Sequence, residues 1–477
     1  MSSSIGSAAL FLGLTLALAA TEASYAQSYV AVDLGTLGGN ASGSDGLNNL
    51  GRTVGWAKTP AGAYYGFISA PGGAPLTNLG PPPNGTYSYA QAANTAGQVV
   101  GHATVSVGFG EYDHAFLWQD GVMTDLGTLG GDRSRAWAIN GAGQIVGWAQ
   151  DAGGGYHAFV WEAGPPPGMM RLPGIPGGYP DSDARDINEA GVAVGHAWDA
   201  SFPNSIRRPV VWESGALEPR NLDLPSGATG ATAFAINNEN EIVGNSWGPG
   251  GVTHAVQWAW NGEATVLPPT RSHTYNNAYG INDAGQVVGE SFSGGHLAAN
   301  RHAPRDVEPN VGSSGGPVLW EHGIAFELDD IVAPAPGTSL YTVADINESG
   351  QIAATGNASG GFRALRLDPI PNGLGLTGPD PGYADQVSRV AVRGATPGQR
   401  TYFVYGLTIG STPVPACPKV TIPVGNAVLI GSSVADENGH AVFSRRVPPE
   451  ASGHTVYFGA VELPSCRVAN RTVRHIS

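Results

Sequence analysis

The sequence predicts an all-β protein: a seven-bladed β-propeller closed by an N-terminal strand, followed by a C-terminal β-sandwich-like domain. Three observations lead to this prediction: a strand-rich unit that recurs seven times, a spare copy of its fourth strand near the N-terminus, and a change of pattern after residue 370. The composition agrees with it. Gly 71 and Pro 36 in 477 residues supply turns, while Trp 11, Tyr 16 and Phe 13 supply apolar surface to bury.

The repeated unit centres on the motif I-N-x-x-G-Q-(I/V)-V-G. Its asparagine recurs at intervals of 46, 46, 48, 49, 45 and 65 residues, at Asn48, Asn94, Asn140, Asn188, Asn237, Asn282 and Asn347. A period in the mid-forties with four short strands is typical of a propeller blade.

The third unit illustrates the predicted strands. Residues 135–139 alternate as a first strand, and the N-x-x-G segment that follows forms a tight turn in which Gly143 needs a positive φ. Residues 145–147 start the second strand, HAFVW from His157 is the third, and a fourth follows. In the fifth unit Asn240 replaces the glycine, which supports a turn because asparagine tolerates the left-handed region.

The two ends of the repeat region predict closure. The seventh unit ends after its third strand at residues 363–367, while the segment VAVDLGTLG at residues 30–38 is a spare fourth strand. Pairing the two would complete the last blade and remove exposed sheet edges. An open β-solenoid would need no such strand, so the propeller is the better interpretation.

The HAF, DLGTLGG and INxxGQIVG elements resemble the HAF-type extracellular repeats of predicted exported bacterial proteins. The resemblance covers about residues 29 to 370. It implies export, and it is not tied to one reaction. The name-giving histidine occurs as His114, His157 and His254, and other residues occupy its place at Gly66, Arg208, Gly316 and Arg363. This variation favours a packing or rim role over catalysis.

The segments outside the repeats have their own predictions. Residues 1–26 are expected to be a signal peptide, with an apolar run at 8–20 and Ser-Tyr-Ala at 24–26. The propeller is expected at 27–370, a Gly- and Pro-rich linker at 371–382, and the small β-sandwich-like domain at 383–477. Cys417 and Cys466 are expected to form a disulfide in an oxidising compartment. We expect a secreted, periplasmic or cell-surface protein that is not integral to the membrane.

Charge and motifs exclude several functions. The net charge is −15 and the lysines are Lys58 and Lys419, so the basic surface of a general nucleic-acid binder is missing. H-E-x-x-H and P-loop patterns do not occur, and no cofactor is expected.

The first candidate for a functional element is the insertion that enlarges the 65-residue interval. It contains His296, Arg301, His302, Arg305, Asp306 and Glu308. It should connect a second to a third strand, on the variable face of the propeller. A solvated surface loop would have the same composition.

The second candidate is the channel mouth, where the innermost strands begin. Its residues are Tyr87, Tyr89, Asp132, Arg133, Arg135, Asp181, Asp183, Arg185, Arg271, His273, Tyr275 and Tyr341. Such groups could bind a sugar or an acidic ligand, and salt bridges between blades would account for the same charges. The Asp181-x-Asp183-x-x-Asp186 pattern weakly suggests calcium but lacks the glycine and distal glutamate of an EF-hand loop, so no metal is expected.

The leading functional hypothesis is an exported, non-enzymatic binding or extracellular matrix protein that uses its propeller loops and channel mouth. Its ligand would be an extracellular carbohydrate or protein. One alternative is a carbohydrate-active hydrolase or lyase that uses Asp181, Asp183, His273 or Tyr275. A second is a scaffold whose rim binds protein partners.

Overall fold

A computed structural model describes most of the chain from residue 29 onward. The described residues are 29–108, 110–165, 167–175, 178–199, 206–270, 273–293, 315–321, 323–333, 339–358, 361–370, 375–380, 387–393, 395, 398–406, 412–413, 421–422, 428–435, 441–446, 455–463, 467–468 and 472–475. The predicted signal peptide, both cysteines and the six charged residues of the insertion lie outside them.

The protein is all-β, with antiparallel four-stranded sheets that follow one another along the chain. After β1 (Tyr29–Asp33), sheets one to three contain β2 (Ser42–Leu47), β3 (Thr53–Lys58), β4 (Tyr64–Ala70), β5 (Gly73–Asn78); β6 (Ser88–Ala93), β7 (Val99–Val107), β8 (Gly110–Gln119), β9 (Val122–Asp125); and β10 (Gly130–Ile139), β11 (Ile145–Asp151), β12 (Tyr156–Glu162), β13 (Gly168–Arg171). Sheets four to six contain β14 (Asp181–Ile187), β15 (Ala193–Trp198), β16 (Arg208–Trp212), β17 (Arg220–Asn221); β18 (Gly230–Ile236), β19 (Ile242–Trp247), β20 (Thr253–Trp258), β21 (Ala264–Val266); and β22 (Tyr275–Ile281), β23 (Val287–Phe292), β24 (Gly315–Glu321), β25 (Ile324–Glu327).

The seventh sheet joins the two ends of the repeat region. A short helix α1 (Leu328–Ile331) and β26 (Val332–Ala333) precede its strands β27 (Ser339–Ile346), β28 (Ile352–Ala358) and β29 (Gly361–Pro369). The fourth strand is β1, which runs antiparallel to β29 with Tyr29 opposite Pro369, as the spare strand predicts. An unexpected addition is β26, which pairs parallel with the outer side of β1.

The motif asparagines link all seven sheets. In each sheet the asparagine Oδ1 accepts a hydrogen bond from the backbone N–H of the residue four positions later, and this bond fixes the N-x-x-G turn. Its Nδ2 donates to the backbone carbonyl of the next motif asparagine at 2.9–3.2 Å. The last of these bonds runs from Asn347 back to the carbonyl of Asn48, so the series closes on itself.

Packing between sheets follows the same order. Each pair of consecutive sheets shares a buried apolar cluster, from sheets one and two through sheets six and seven. A further cluster joins sheet seven to sheet one through Leu34, Ala57, Phe67 and Ala364. The apolar core is therefore distributed between neighbouring sheets, and each sheet has two neighbours.

The final glycine of the I-V-G segment has a packing role. The innermost strand of each of the first six sheets carries a β-bulge beside this glycine, where its register with the second strand shifts by one residue. At Gly147 a Cβ would overlap the carbonyl oxygen of Arg135, so glycine is required on this backbone, whereas sheet seven combines a register shift between Val343 and Asp345 with Ala354 at the same position. The bulge turns one residue of every innermost strand away from the regular pleat.

The C-terminal region forms further antiparallel sheets. One contains β30 (Gly375–Asp380), β31 (Val387–Arg393) and β36 (Ala441–Arg446); another contains β32 (Arg400–Gly406), β35 (Val428–Val434), β37 (Thr455–Leu463), β38 (Arg467–Val468) and β39 (Thr472–His475); a third pairs β33 (Thr412–Pro413) with β34 (Thr421–Ile422). The first two share an apolar cluster around Val392, Phe403 and Phe458. Residues 375–380, predicted to be a linker, instead form an edge strand, because an edge needs ladder hydrogen bonds on one side only and so tolerates Gly and Pro.

Replacing Asn140 by alanine should destabilise the protein by about 2–4 kcal/mol. The substitution removes a buried side chain that bonds Gln144 and the carbonyl of Asn188, and it leaves that carbonyl without this donor. Thermal and denaturant unfolding would measure the loss. Asn221→Ala, at an exposed position on β17, is the matched control and should change stability by less than about 0.5 kcal/mol. Equal effects of the two substitutions would contradict a structural role for the asparagine series.

A chain that begins at residue 39 should unfold at a lower temperature and self-associate. It lacks β1 and the buried Leu34, so β29 becomes an unpaired edge. A synthetic peptide of residues 27–38 should restore the melting temperature, whereas a peptide of the same composition in scrambled order should not. An unchanged melting temperature in the shortened chain would show that the β1 pairing contributes little.

Candidate functional site

The bulges bring one side chain from each sheet to the side where the innermost strands meet. These residues, here called the bulge set, lie three positions before each motif asparagine: Asp45, Gln91, Trp137, Arg185, Phe234, Tyr279 and Ala344. Two pairs of consecutive members touch across sheets. The guanidinium of Arg185 lies 4.8 Å from the ring centroid of Trp137, and the rings of Phe234 and Tyr279 are 6.0 Å apart. Since the fold fixes the position and leaves the residue type open, it is well suited to carry a binding site.

An ion pair joins sheets two and three beside the bulge set. Arg135 on β10 donates from Nη2 to Oδ2 of Asp113 on β8 at 2.6 Å, and both side chains are largely buried. The Tyr87 hydroxyl donates to the other carboxylate oxygen. Burial raises the pKa of Asp113, but His102, the Tyr87 bond and Arg135 together outweigh it, so the net pKa lies below the usual value. Asp113 and Arg135 are therefore a salt bridge between sheets.

A second ion pair lies at the junction of sheets three and four. Asp183 accepts a hydrogen bond from Nε1 of Trp137 at 2.8 Å, and its other oxygen lies 3.0 Å from Nε of Arg185. That Nε contact is an ion pair without hydrogen-bond geometry, and Arg185 Nη1 also has no hydrogen-bond partner. Burial raises the pKa of Asp183 in spite of the opposing charges of Arg185, Arg207 and Arg135.

Two buried histidines complete this region. His102 follows the I-V-G glycine of sheet two, and His196 occupies the same position in sheet four. Burial, assisted by the charge of Arg135, lowers the pKa of His102 to about 3. Burial and the charges of Arg207 and Arg185 lower the pKa of His196 well below its ordinary value. Both rings are therefore neutral near pH 7, in surroundings that are locally positive.

Aromatic rings surround the charged groups. Tyr89 stacks on His102 with ring centroids 5.4 Å apart, and His102 meets the edge of Trp137 at 6.3 Å. A second group in sheets three and four joins Trp148, Tyr156, Trp198 and His196 at centroid distances of 5.0–6.1 Å. We call Tyr89, His102, Asp113, Arg135, Trp137, Asp183, Arg185, His196 and Arg207 the arginine–aromatic cluster.

Sheets five and six are different at the equivalent positions. Thr232 and Asn277 replace Arg135 and Asp183, Asn245 occupies the histidine position in sheet five, and Glu290 occupies it in sheet six. Asn245 donates from Nδ2 to Oδ1 of Asn277 at 2.9 Å, and Glu290 accepts a hydrogen bond from the Tyr279 hydroxyl at 3.3 Å. The arginines beside the bulge set are thus found on sheets three and four, whereas sheet six has a carboxylate and no arginine at these positions.

The structure unites only part of the predicted channel mouth. Tyr87, Tyr89, Arg135, Asp183 and Arg185 meet in or beside the arginine–aromatic cluster. The other mouth residues have separate contacts. Asp132 and Arg133 are exposed, with Arg133 over the Tyr112 ring, and Asp181 accepts a hydrogen bond from the backbone N–H of Tyr156. His273 contacts Thr270, Tyr275 stacks on Phe292 in sheet six, and Tyr341 packs on Phe362 in sheet seven. That these residues converge on one opening stays a prediction.

Two sets of predicted residues cannot be located. Arg271 and the insertion residues His296, Arg301, His302, Arg305, Asp306 and Glu308 lie outside the described residues. Cys417 and Cys466 also lie outside, so the disulfide stays a prediction.

The aspartates of the calcium-like pattern point to separate partners. Asp181 bonds Tyr156, Asp183 bonds Trp137, and Asp186 accepts the backbone N–H groups of Ile187 and of Ile236 in the next sheet. In the part of the chain that the structure describes, no group of three or more His, Cys, Asp or Glu side chains could hold a metal ion. Burial raises the pKa of Asp186 to about 7, with a contribution from the charge of Asp345.

The HAF histidines make local contacts. His114 Nδ1 lies 2.9 Å from Oδ2 of Asp125, the aspartate of the same sheet's DLG segment, and Asp125 also accepts the N–H of Gly127. In sheet seven the equivalent residues are Arg363 and Asp33, whose charged atoms lie 3.9 Å apart. A histidine in sheet two and a cation in sheet seven therefore contact the aspartate of the turn, whereas His157 contacts Asp151 at 2.7 Å and Gly66 and Gly316 have no side chain to do so.

Sequence reasoning missed His102, Asp113, Trp137, His196 and Arg207. Of these, Trp137 and the two histidines left a usable signal. The residues three before and eight after each motif asparagine vary among charged, aromatic and small types, while their neighbours stay apolar. Asp113 and Arg207 left none, since they enter the cluster from the approaches to third strands.

Comparisons with known proteins give no family. No family model matches the chain, and no curated protein matches it. Solved structures similar to it include AofleA from Arthrobotrys oligospora, with 11% identity and a TM-score of 0.36 over 64% of this chain and 90% of that one. TolB from Acinetobacter baumannii shows 10% identity and a TM-score of 0.34 over 66% and 63% of the two chains. The gluconolactonase XC5397 from Xanthomonas campestris shows 11% identity and a TM-score of 0.30 over 54% and 79%. Similarity at this level says nothing about activity.

Helices long and apolar enough to cross a membrane are absent from the described residues.

Replacing Asp186 by alanine should change how stability depends on pH. The folded-state pKa of about 7 lies above the ordinary 3.8, so the folded protein holds a proton that the unfolded chain releases, and wild-type stability should fall as pH rises between these values. The variant has no carboxyl group at this position, so it lacks this contribution to the pH dependence of stability. Its stability relative to wild type should therefore improve by up to about 1.4 kcal/mol per pH unit across that window.

Denaturant unfolding at pH 4 to 8 would measure the difference. Asp186→Asn, which also cannot titrate, should show the same slope as Asp186→Ala, even though it differs in absolute stability. Parallel pH profiles for wild type and both variants would mean that Asp186 does not titrate in this range.

Proposed function

We propose that this protein is an exported binding protein of the HAF-repeat type, built on a seven-bladed β-propeller, that recognises a carbohydrate through the arginine–aromatic cluster. The closed asparagine series and the cyclic order of the apolar clusters support the propeller with β1 completing its last blade. The signal-like segment at residues 1–26 supports export. The shared core of the two C-terminal sheets supports a small β-sandwich stapled by Cys417 and Cys466.

One observation carries the assignment: the arginines beside the bulge set, with aromatic rings next to them, are concentrated on sheets three and four. If these arginines served only to hold neighbouring sheets together, the same positions in sheets five and six should carry similar cations. Instead sheet five has Thr232 and Asn245 there, and sheet six has Asn277 and Glu290. Aromatic faces beside hydrogen-bonding groups are the usual means of holding a sugar ring.

The carboxylates favour binding over hydrolysis. A glycosidase needs two carboxyl groups that face the substrate, one of them able to give up a proton. Asp181 and Asp183, the predicted pair, are held by the Tyr156 backbone and by Trp137 with Arg185, and His273 and Tyr275 lie two sheets away. Groups engaged in this way position a ligand or its neighbours and do not form an acid–base pair.

Trp137→Ala should weaken the binding of a carbohydrate by at least about tenfold, because it removes the ring beneath Arg185 and the Nε1–H donor to Asp183 that hold the cluster in place. We would screen residues 27–477 on a glycan array and then measure affinities by calorimetry. Phe234→Ala is the matched control, because Phe234 belongs to the bulge set but lies in sheet five, and it should change affinity less than twofold. Trp137→Phe keeps a ring for use if the alanine variant is unstable, and it should show an intermediate loss.

Replacing residues 294–314 by a short Gly-Ser linker separates the two candidate sites of the sequence. This change should leave carbohydrate binding intact. Binding that depends on the insertion, or that falls equally in the Trp137 and Phe234 variants, would contradict the assignment, as would the absence of any bound glycan.

A further inference from the structure

We propose that the ligand is an acidic saccharide, and that the carboxylate of a uronic-acid residue is bound by Arg185 and Arg207. This inference rests on the proposed function and adds the chemical class of the ligand.

Cations exceed anions in the arginine–aromatic cluster. It contains three arginines, Arg135, Arg185 and Arg207, against two carboxylates, Asp113 and Asp183. Arg135 is committed to Asp113 by a hydrogen bond, and Arg185 shares Asp183 with Trp137. Among the residues that the structure describes, Arg207 has no ion-pair partner within 4 Å, yet its charge acts on both Asp183 and His196. One positive charge therefore remains uncompensated.

Arg185 has donors that the protein does not use. Its side chain is only 10% exposed, and neither Nε nor Nη1 makes a hydrogen bond. A buried donor without an acceptor costs about 1–3 kcal/mol of stability, so an acceptor that binds beside this guanidinium would recover that free energy. A carboxylate is the acceptor that suits the planar fork of arginine best.

Arg207 supplies an exposed cation near the same place. It lies two residues before Pro209, which pairs with His196, and His196 in turn pairs with Asp183 across sheet four. Its carbonyl accepts a hydrogen bond from the N–H of Ala231 in the next sheet, so its backbone is anchored. A carboxylate bound by Arg185 would therefore have a second cation close to it.

The overall charge makes the site selective. With a net charge of −15 the protein repels polyanions in general, so acidic glycans should not bind to its surface at random. Binding of an acidic sugar must then come from a local excess of positive charge, and among the described residues the arginine–aromatic cluster provides one.

The test uses pairs of oligosaccharides that differ only at the carboxyl group. Tetramers of galacturonate, glucuronate and mannuronate would be compared with their methyl esters by calorimetry on residues 27–477. At least one acid should bind about tenfold or more tightly than its ester. Arg207→Gln should weaken the binding of that acid by about five- to tenfold and change the affinity for the ester much less, because the substitution removes the charge that binds the carboxylate. The side chain is exposed, so the fold does not depend on it.

Arg171→Gln is the matched control, since Arg171 is an exposed arginine on the outermost strand of sheet three and its replacement changes the net charge equally. It should leave the affinity unchanged. Arg185→Lys keeps the charge and loses the planar guanidinium. It should also weaken the binding of the acid more than the binding of the ester.

The outcomes separate the two proposals. Acids and esters that bind equally, with both depending on Trp137, would overturn the acidic ligand and leave the carbohydrate function standing. Sulfated oligosaccharides that bind where uronates do not would also overturn the carboxylate. An equal loss of affinity in the Arg207 and Arg171 variants would show that the carboxylate binds elsewhere. If no glycan of any kind binds in a Trp137-dependent way, the proposed function fails.

Discussion

The closed series of hydrogen bonds between motif asparagines is the constraint on which the rest of the fold depends. Each asparagine fixes its own turn through Oδ1 and binds the next sheet through Nδ2, so local and long-range order are specified by the same side chain. Because Asn347 returns to Asn48, a change in the number of sheets would break the series. The apolar clusters between sheets then fill the space that this arrangement defines, and no single central core is needed.

Much of this framework could be predicted from the sequence, because a repeat shows the same physical requirement seven times. Three features follow from patterns that reappear at a fixed spacing. They are the turn at Gly143, the replacement of the turn glycine by Asn240 in the fifth unit, and the pairing of the N-terminal strand. The role of the glycine at Gly147 did not follow. A glycine after two β-branched residues resembles any strand glycine, and only the overlap with the Arg135 carbonyl shows that it admits a bulge.

The candidate site was only partly predictable, for a related reason. Its residues occupy positions where the repeat imposes a location but not a residue type, so they appear as scattered exceptions. Arg135 and Asp183 were identifiable because they begin innermost strands, but their partners Asp113 and Trp137 come from neighbouring sheets. Such partners depend on how sheets pack, and no local pattern encodes that. Within the predicted linker at residues 371–382, residues 375–380 form an edge strand, which Gly and Pro did not reveal because an edge strand accepts both.

The pairing of β1 with β29 also has a consequence for the way the molecule is made. During synthesis the strand around Tyr29 appears first, but its partner around Pro369 appears only after all the intervening sheets. Closing the long loop between the two strands costs little extra free energy, since each doubling of loop length adds about 0.6 kcal/mol, but contacts so distant in sequence form slowly. We therefore expect the sheets between them to assemble in order and ring closure to be the last and slowest event. Until then the nascent chain presents two open edges, and it is at this stage that it is most exposed to aggregation.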